Sequence, residues 1–128
     1  MADLSDVRRT ALSLPAAQER DSRGRAQWWV KDKMFVWERP LRPREVQELG
    51  DAAPDGPILG VRVEDLGAKE ALLASEPEVF FTTSHFEGHT SVLVRLAHVP
   101  ADVLEEVVTE AWLCRAPRRL AQEFLAGS

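Results

Sequence analysis

The order of apolar patterns along the chain predicts an α+β fold of two layers, a twisted antiparallel sheet with helices packed on one face. Three observations carry that expectation. Two short aromatic and β-branched runs, Gln27-Trp28-Trp29-Val30 and Met34-Phe35-Val36-Trp37, flank the polar triplet Lys31-Asp32-Lys33, as in a β-hairpin. A second pair of strand-like runs, residues 79–81 and 91–96, sits close together around a short loop. The strand–helix–strand alternation of a parallel sheet is missing, so the helical patterns at the start, middle and end share one sheet face. At 128 residues, 45% hydrophobic and 29% charged, the chain has material for a single domain, residues 1–128, around one core.

Residues 3–13 read as a first helix, with Leu4, Val7, Ala11 and Leu12 near one face and Asp3 and Asp6 at its positive end. Leu14-Pro15 stops it, because proline disfavours helical geometry in the residue before it. The polar, Arg-rich residues 16–26 read as a loop, and the 27–37 hairpin follows, closed by Pro40 and Pro43. A helical turn over 44–49 precedes a Gly- and Pro-rich loop, 50–57. Residues 58–63 form a strand in which Leu59, Val61 and Val63 alternate with Gly60 and Arg62. Asp65 caps a helix running to Ser75, with Leu66, Leu72 and Leu73 as its apolar positions, and Glu76-Pro77 ends it. After the second strand pair, Pro100 opens a helix over 102–114 carrying Val103, Leu104, Val107, Val108, Ala111 and Trp112. Ala116-Pro117 breaks that helix, and a last one spans 118–126.

Charge is distributed unevenly. Residues 1–50 hold ten Lys/Arg against eight Asp/Glu, or +2, whereas residues 51–128 hold six against thirteen, or −7. Within residues 20–44, eight basic side chains (Arg20, Arg23, Arg25, Lys31, Lys33, Arg39, Arg42 and Arg44) face Asp21, Asp32 and Glu38. That stretch can supply the positive potential that phosphate binding requires. The pI of about 5.2 lies far below the basic range common among nucleic-acid-binding domains. No apolar run approaches the roughly 20 residues that span a bilayer. The opening MADLSDVRRTALSL lacks the apolar core of a secretory signal. Cys114 stands alone, so an internal disulfide is impossible, which fits a reducing compartment. The expected location is the cytoplasm, with no membrane partner.

The segment TTSHFEGHTSVLVRL brings His85, Glu87 and His89 together, and in an extended strand all three would point to one side. Zinc sites recruit three or four such ligands, and His98 or Cys114 could supply a fourth. The plainer role is a hairpin tip at Glu87-Gly88, with Gly88 supplying backbone freedom and Phe86 packing back. This spacing matches no established zinc motif, so the expected role is a turn and no metal or cofactor is assigned. Trp28, Trp29 and Trp37 beside Lys31 and Lys33 have the makings of a base-stacking platform, or equally of a core hairpin with soluble lysines. Adjacent Trp28 and Trp29 must face opposite sides of the sheet. Trp112 reads as a core or interface anchor and Cys114 as a buried, inert thiol, while Glu105, Glu106 and Glu110 read as a solvated helix face. No phosphate loop, dinucleotide fingerprint or nucleophile elbow occurs, so no catalytic residue is assigned.

Taken in order, ALSLP, WWVKDKMFVWERP, ILGVRVEDLGAKEALLASEPEVFFTT, HFEGHTSVLVRL and ADVLEEVVTEAWLCRAP resemble the MmcQ/YjbR-like family over residues 11–120. The resemblance implies a small α+β domain with a twisted antiparallel sheet backed by helices, likened to the frataxin-type fold and to type III secretion chaperones. It also implies DNA binding through a "double wing" and brings no catalytic residues. The resulting expectation is a non-enzymatic domain contacting DNA weakly through Arg23, Arg25, Trp28, Lys31, Lys33, Arg39 and Arg42. The alternative is a protein- or small-ligand-binding module using the sheet face around Trp28 or Trp29.

Overall fold

The computed structural model describes residues 2–127. Its first helix, α1 (Leu4–Leu12), starts at a reciprocal cap: the Asp3 carboxylate accepts from the Asp6 amide, and the Asp6 carboxylate accepts from the Asp3 amide. Such caps satisfy amides that have no partner inside the helix and contribute about 1 kcal/mol. Six strands follow: β1 (Ala17–Ser22), β2 (Arg25–Val30), β3 (Lys33–Glu38), β4 (Ile58–Arg62), β5 (Phe80–Phe81) and β6 (Ser91–Arg95). They pair antiparallel throughout in the order β1-β2-β3-β4-β6-β5. The remaining helices are α2 (Pro43–Leu49), α3 (Leu66–Ser75, capped by Asp65), α4 (Ala101–Arg115) and α5 (Arg118–Ala126).

The α+β, two-layer architecture is as expected. One sheet face, here the inner face, carries Trp28, Val30, Val36, Leu59, Val61, Val92 and Val94 into the main core. There they meet Val7 and Ala11 of α1 and Leu104, Val107, Val108, Ala111 and Trp112 of α4. The Trp112 indole donates to the Pro15 carbonyl at 3.0 Å, which ties α4 to the turn after α1, and Phe124 of α5 packs on the ring. On the outer face a smaller cluster, Ile58, Phe81, Phe86 and Leu93, lies beneath Leu41 and Leu49 at the ends of α2. Thus α2 and the 3-10 turn Ser84–Phe86 partly cover the face opposite the main helices.

Residues 16–26, expected to be a loop, instead contain β1 and its turn into β2. The turn is Arg23-Gly24, both with positive φ (54° and 79°), the geometry whose twist matches a two-residue hairpin. Strand β1 lacks apolar alternation because it is an edge strand with almost every side chain in water. The β2–β3 hairpin is tighter than expected, with Val30 opposite Lys33 and Lys31 at φ 54°. Opposite Trp28 and Trp29 the register slips: Trp28 pairs with Val36 and Trp29 with Met34, leaving Phe35 as a bulge. The bulge lets consecutive Phe35 and Val36 both enter the main core. Leu12 and Leu66, read as apolar helix positions, are exposed at 44% and 46%, because each sits at a helix end turned away from the sheet.

A candidate binding groove on the open sheet face

The outer face beyond the α2 cluster remains open. Trp29, Met34 and Trp37 share this face by register, and Trp37 lies directly opposite Gly60 on β4. A Cβ at Gly60 would collide with the Trp37 indole, so glycine here is what lets the ring lie across the sheet. Both Trp29 and Trp37 are half-buried. The Arg20 guanidinium sits 4.2 Å above the Trp29 ring, a cation–π contact across the β1–β2 pair. Together Trp29, Met34, Trp37, Lys33, Arg62 and Arg115 line a groove of about 380 Å³, with His89 and Phe86 at one side and Asp32 as its one carboxylate.

Arg62 comes from the end of β4 and Arg115 from the last turn of α4. The Nε atoms of both are buried, and neither has a hydrogen-bond partner among the described residues. Burial pushes the Arg62 guanidinium below the usual range, and the neighbouring positive charge of Arg115 pushes it further. The groove is therefore a cationic patch on a chain whose net charge is −5. Cys114, expected to be buried, is exposed. Partial burial of its thiol, with Glu110 and Glu64 nearby, nevertheless raises its pKa and keeps it a poor nucleophile.

The contact residues expected from sequence do not form one surface. Trp28 is wholly enclosed, its indole donating at 3.0 Å to Glu19, which also accepts from Arg8 at 2.7 Å, so it has no face to offer a base. Arg39 is committed too: it donates to both Glu45 oxygens at 2.9 and 3.0 Å. Arg23 and Arg25 lie at one end of β2, and Lys31 and Lys33 at the other, about 20 Å away for a six-residue strand. Arg42 is exposed at the start of α2. Only Lys33 of that set lines the groove. Arg62 stands alone among apolar or acidic neighbours in the sequence, and Arg115 reads there with Arg118 and Arg119 as a short basic cluster, so only the packing of α4 against β4 makes Arg62 and Arg115 a pair.

The histidine loop joins β5 to β6, as a hairpin tip should. Gly88 turns the chain at φ 78°, and Phe86 is buried in the outer cluster. The His85 and His89 rings lie nearly parallel with centroids 6.3 Å apart. Among the described residues, no group of three His, Cys, Asp or Glu side chains could hold a metal ion. What holds the loop is Lys69 of α3. Its buried ammonium donates to the Phe86 carbonyl at 2.6 Å and the His89 carbonyl at 2.9 Å. Burial lowers the Lys69 pKa, an effect that nearby Glu87 partly offsets. A second latch, Glu45, is the buried residue of α2 and accepts from Arg39, from the Arg42 amide and from the Thr83 hydroxyl. Burial alone would raise the Glu45 carboxyl; those three donors outweigh it and hold it below the ordinary range.

The fold defines a small α+β domain with one closed and one half-open sheet face. This chain belongs to the YjbR family, whose model matches residues 12–114. It is 48% identical to the uncharacterized protein Mb2600 of Mycobacterium bovis over 131 residues, spanning 100% of this chain and 99% of that one. The uncharacterized protein Rv2570 of Mycobacterium tuberculosis matches it to the same extent. The crystal structure of Deinococcus radiodurans protein DR2400, a DUF419 domain, superposes with a TM-score of 0.64 over 88% of this chain and 78% of its own, at 19% identity. At that identity the match speaks for the fold alone. No helix among the described residues is long and apolar enough to cross a membrane.

Proposed function

We propose that this chain is a non-enzymatic nucleic-acid-binding domain that takes single strands on the open sheet face. The observation that carries this reading is the meeting of two half-buried tryptophans with Lys33, Arg62 and Arg115 in a groove with one carboxylate. Aromatic faces stack bases without regard to sequence, and neighbouring cations follow the backbone. The contact surface thus moves from residues 20–44 as a whole to their Lys33 end, completed by β4 and α4. A titration of a labelled single strand at low and moderate salt tests it. Binding should be weak, on the order of 10⁻⁴ to 10⁻⁶ M, weaken with salt, and favour single strands over duplex. Trp29→Ala and Lys33→Ala should each reduce it. Failure to bind at low salt, or indifference to both substitutions, would remove the reading.

A different observation favours a second reading, a small-ligand module. Between α3 and α4 a groove of about 380 Å³ is floored by Leu72, Phe80, Val103 and Val107 and rimmed by Glu64, Glu76, Glu106 and Glu110, with Arg62 as the one cation in its lining among the described residues. Its size falls within the range of small-molecule sites, and its rim charge fits an apolar cation. A hydrophobic amine that raises the melting temperature, and loses that effect in Glu106→Gln, would favour it over the nucleic-acid reading.

A further inference from the structure

We infer that Arg62 and Arg115 form a site for a phosphomonoester dianion, so that the groove prefers a terminal phosphate to the diesters of a chain interior. The inference rests on the nucleic-acid reading for its base-stacking half and goes beyond it in naming the end group.

The argument starts from how the partly buried arginines of this domain are satisfied. Arg39 is matched by Glu45, and Arg95 donates to the Pro77 and Ala52 carbonyls while lying 4.3 Å over the Phe81 ring. Arg62 and Arg115 differ. They face one another, like charge to like charge, with both Nε atoms buried and no salt bridge to either among the described residues. Arg62 also borders the neighbouring groove that Glu64 and Glu110 line, but neither carboxylate forms an ion pair with it among the described residues. Two partly buried guanidiniums side by side are unfavourable in the free protein unless an anion enters between them.

The identity of that anion follows from charge and shape. Guanidinium forks pair with carboxylate or phosphate oxygens through two parallel hydrogen bonds, and two forks can grip one tetrahedral anion from two sides. A phosphodiester brings one negative charge to a +2 site. A phosphomonoester carries about −1.5 to −2 near pH 7 and keeps three free oxygens. Trp29 and Trp37 line the same groove, so a base joined to that phosphate through its sugar has a ring to stack on. The shared chemistry is a nucleotide-borne phosphomonoester, whether at the end of a strand or in a free mononucleotide.

The test compares oligothymidylates of one length, carrying a 5′-phosphate, a 3′-phosphate or hydroxyls at both ends, by fluorescence titration on the full chain. At least one phosphorylated strand should bind about tenfold or more tighter than the hydroxyl strand, as expected for charge-assisted bonds that the other lacks. Arg115→Gln should erase the difference, weakening the phosphorylated strand far more than the hydroxyl strand, whose backbone it also helps to bind; Arg118→Gln, on the exposed start of α5, should leave both unchanged. Competition by thymidine monophosphate, but not by thymidine, at similar concentration identifies the free nucleotide as a source; competition only by phosphorylated strands identifies the strand end. Equal binding of all three strands overturns this inference and leaves the nucleic-acid reading standing. Absence of binding to any strand or to the mononucleotide overturns both. Should Arg115→Gln fail to fold, the wild-type comparison among the strands decides alone.

Discussion

Arg39 and Arg62 flank the same outer sheet face, each beside aromatic rings, and they meet opposite fates. Arg39 lies 5.1 Å from the Phe86 ring centroid and grips Glu45 with two hydrogen bonds, under the lid formed by α2 and the Ser84–Phe86 turn. Arg62 lies in the groove of Trp29 and Trp37 beside Arg115, and no carboxylate reaches it among the described residues. A buried charge whose partner is supplied by the chain is architecture. One whose partner is withheld stands ready for something outside the chain. The two halves of one face therefore separate what holds the domain together from what it can offer a ligand.

The largest effect should come from breaking the closed half. Glu45→Ala strands the Arg39 guanidinium, the Arg42 amide and the Thr83 hydroxyl together. Removing one partner of a buried ion pair typically costs about 3–5 kcal/mol, and urea unfolding should show a loss of that order. A loss below about 1 kcal/mol would mean that this pair contributes as little as a surface pair does. The same carboxyl predicts a pH window. Its folded pKa lies below the ordinary glutamate value, so the unfolded chain binds more protons between the two. The stabilisation is thus present above about pH 4.3 and disappears as pH falls through the folded value. The stability gap between wild type and Glu45→Gln should narrow over that acid range.

Gly60→Ala, at the border between the two halves, should come next. The new methyl must push the Trp37 ring off the sheet, at about 1–3 kcal/mol for overpacking. Trp37 emission should shift as the ring moves into water. An unshifted spectrum with unchanged stability would show that the indole has room the geometry does not provide. Lys69→Met should be smaller, about 1–2 kcal/mol. It leaves the Phe86 and His89 carbonyls without their donor but also removes a desolvated charge. Hydrogen exchange should speed up in residues 84–89 more than in β6. Uniform protection would sink the idea that Lys69 is what fixes the loop.

How much of this was legible in the sequence differs element by element. Helix ends with local signals, such as Asp65 before α3 and Pro117 before α5, could be read from a few residues. Strand β1 could not, because an edge strand in water needs no apolar alternation; its one local clue was Arg23-Gly24. That Trp28 and Trp29 face opposite ways follows from strand geometry, but which one is inside depends on what covers each face. Here α1 and α4 enclose Trp28, whereas Trp29 meets the Arg20 guanidinium and stays half-buried at the groove. Lys69 reads as a surface residue of an exposed helix, and only the carbonyls of a distant loop turn it into a buried clamp. The basic stretch 20–44 was visible as composition. Its division into a buried ion pair, two hairpin tips and one groove residue is a product of the sheet.

The smallest stability effect should come from the open half, and it is the sharpest test of the comparison. Arg62→Gln keeps the first two methylenes of this β4 side chain and removes one of two like charges. In the free protein it breaks no ion pair among the described residues and relieves the repulsion from Arg115. The expected change is within about 0.5 kcal/mol of zero, of either sign, against several kcal/mol for Glu45→Ala. Ligand binding should follow the opposite order. Glu45→Ala, assayed at a temperature where it remains folded, should bind single strands nearly as wild type does, because it lies under the closed half. Arg62→Gln should bind them more weakly and with a shallower salt dependence, because one phosphate contact fewer releases fewer counterions. A loss of more than about 2 kcal/mol in Arg62→Gln would identify Arg62 as a brace between β4 and α4. The distinction between the two arginines would then fail, and with it the assignment of the groove.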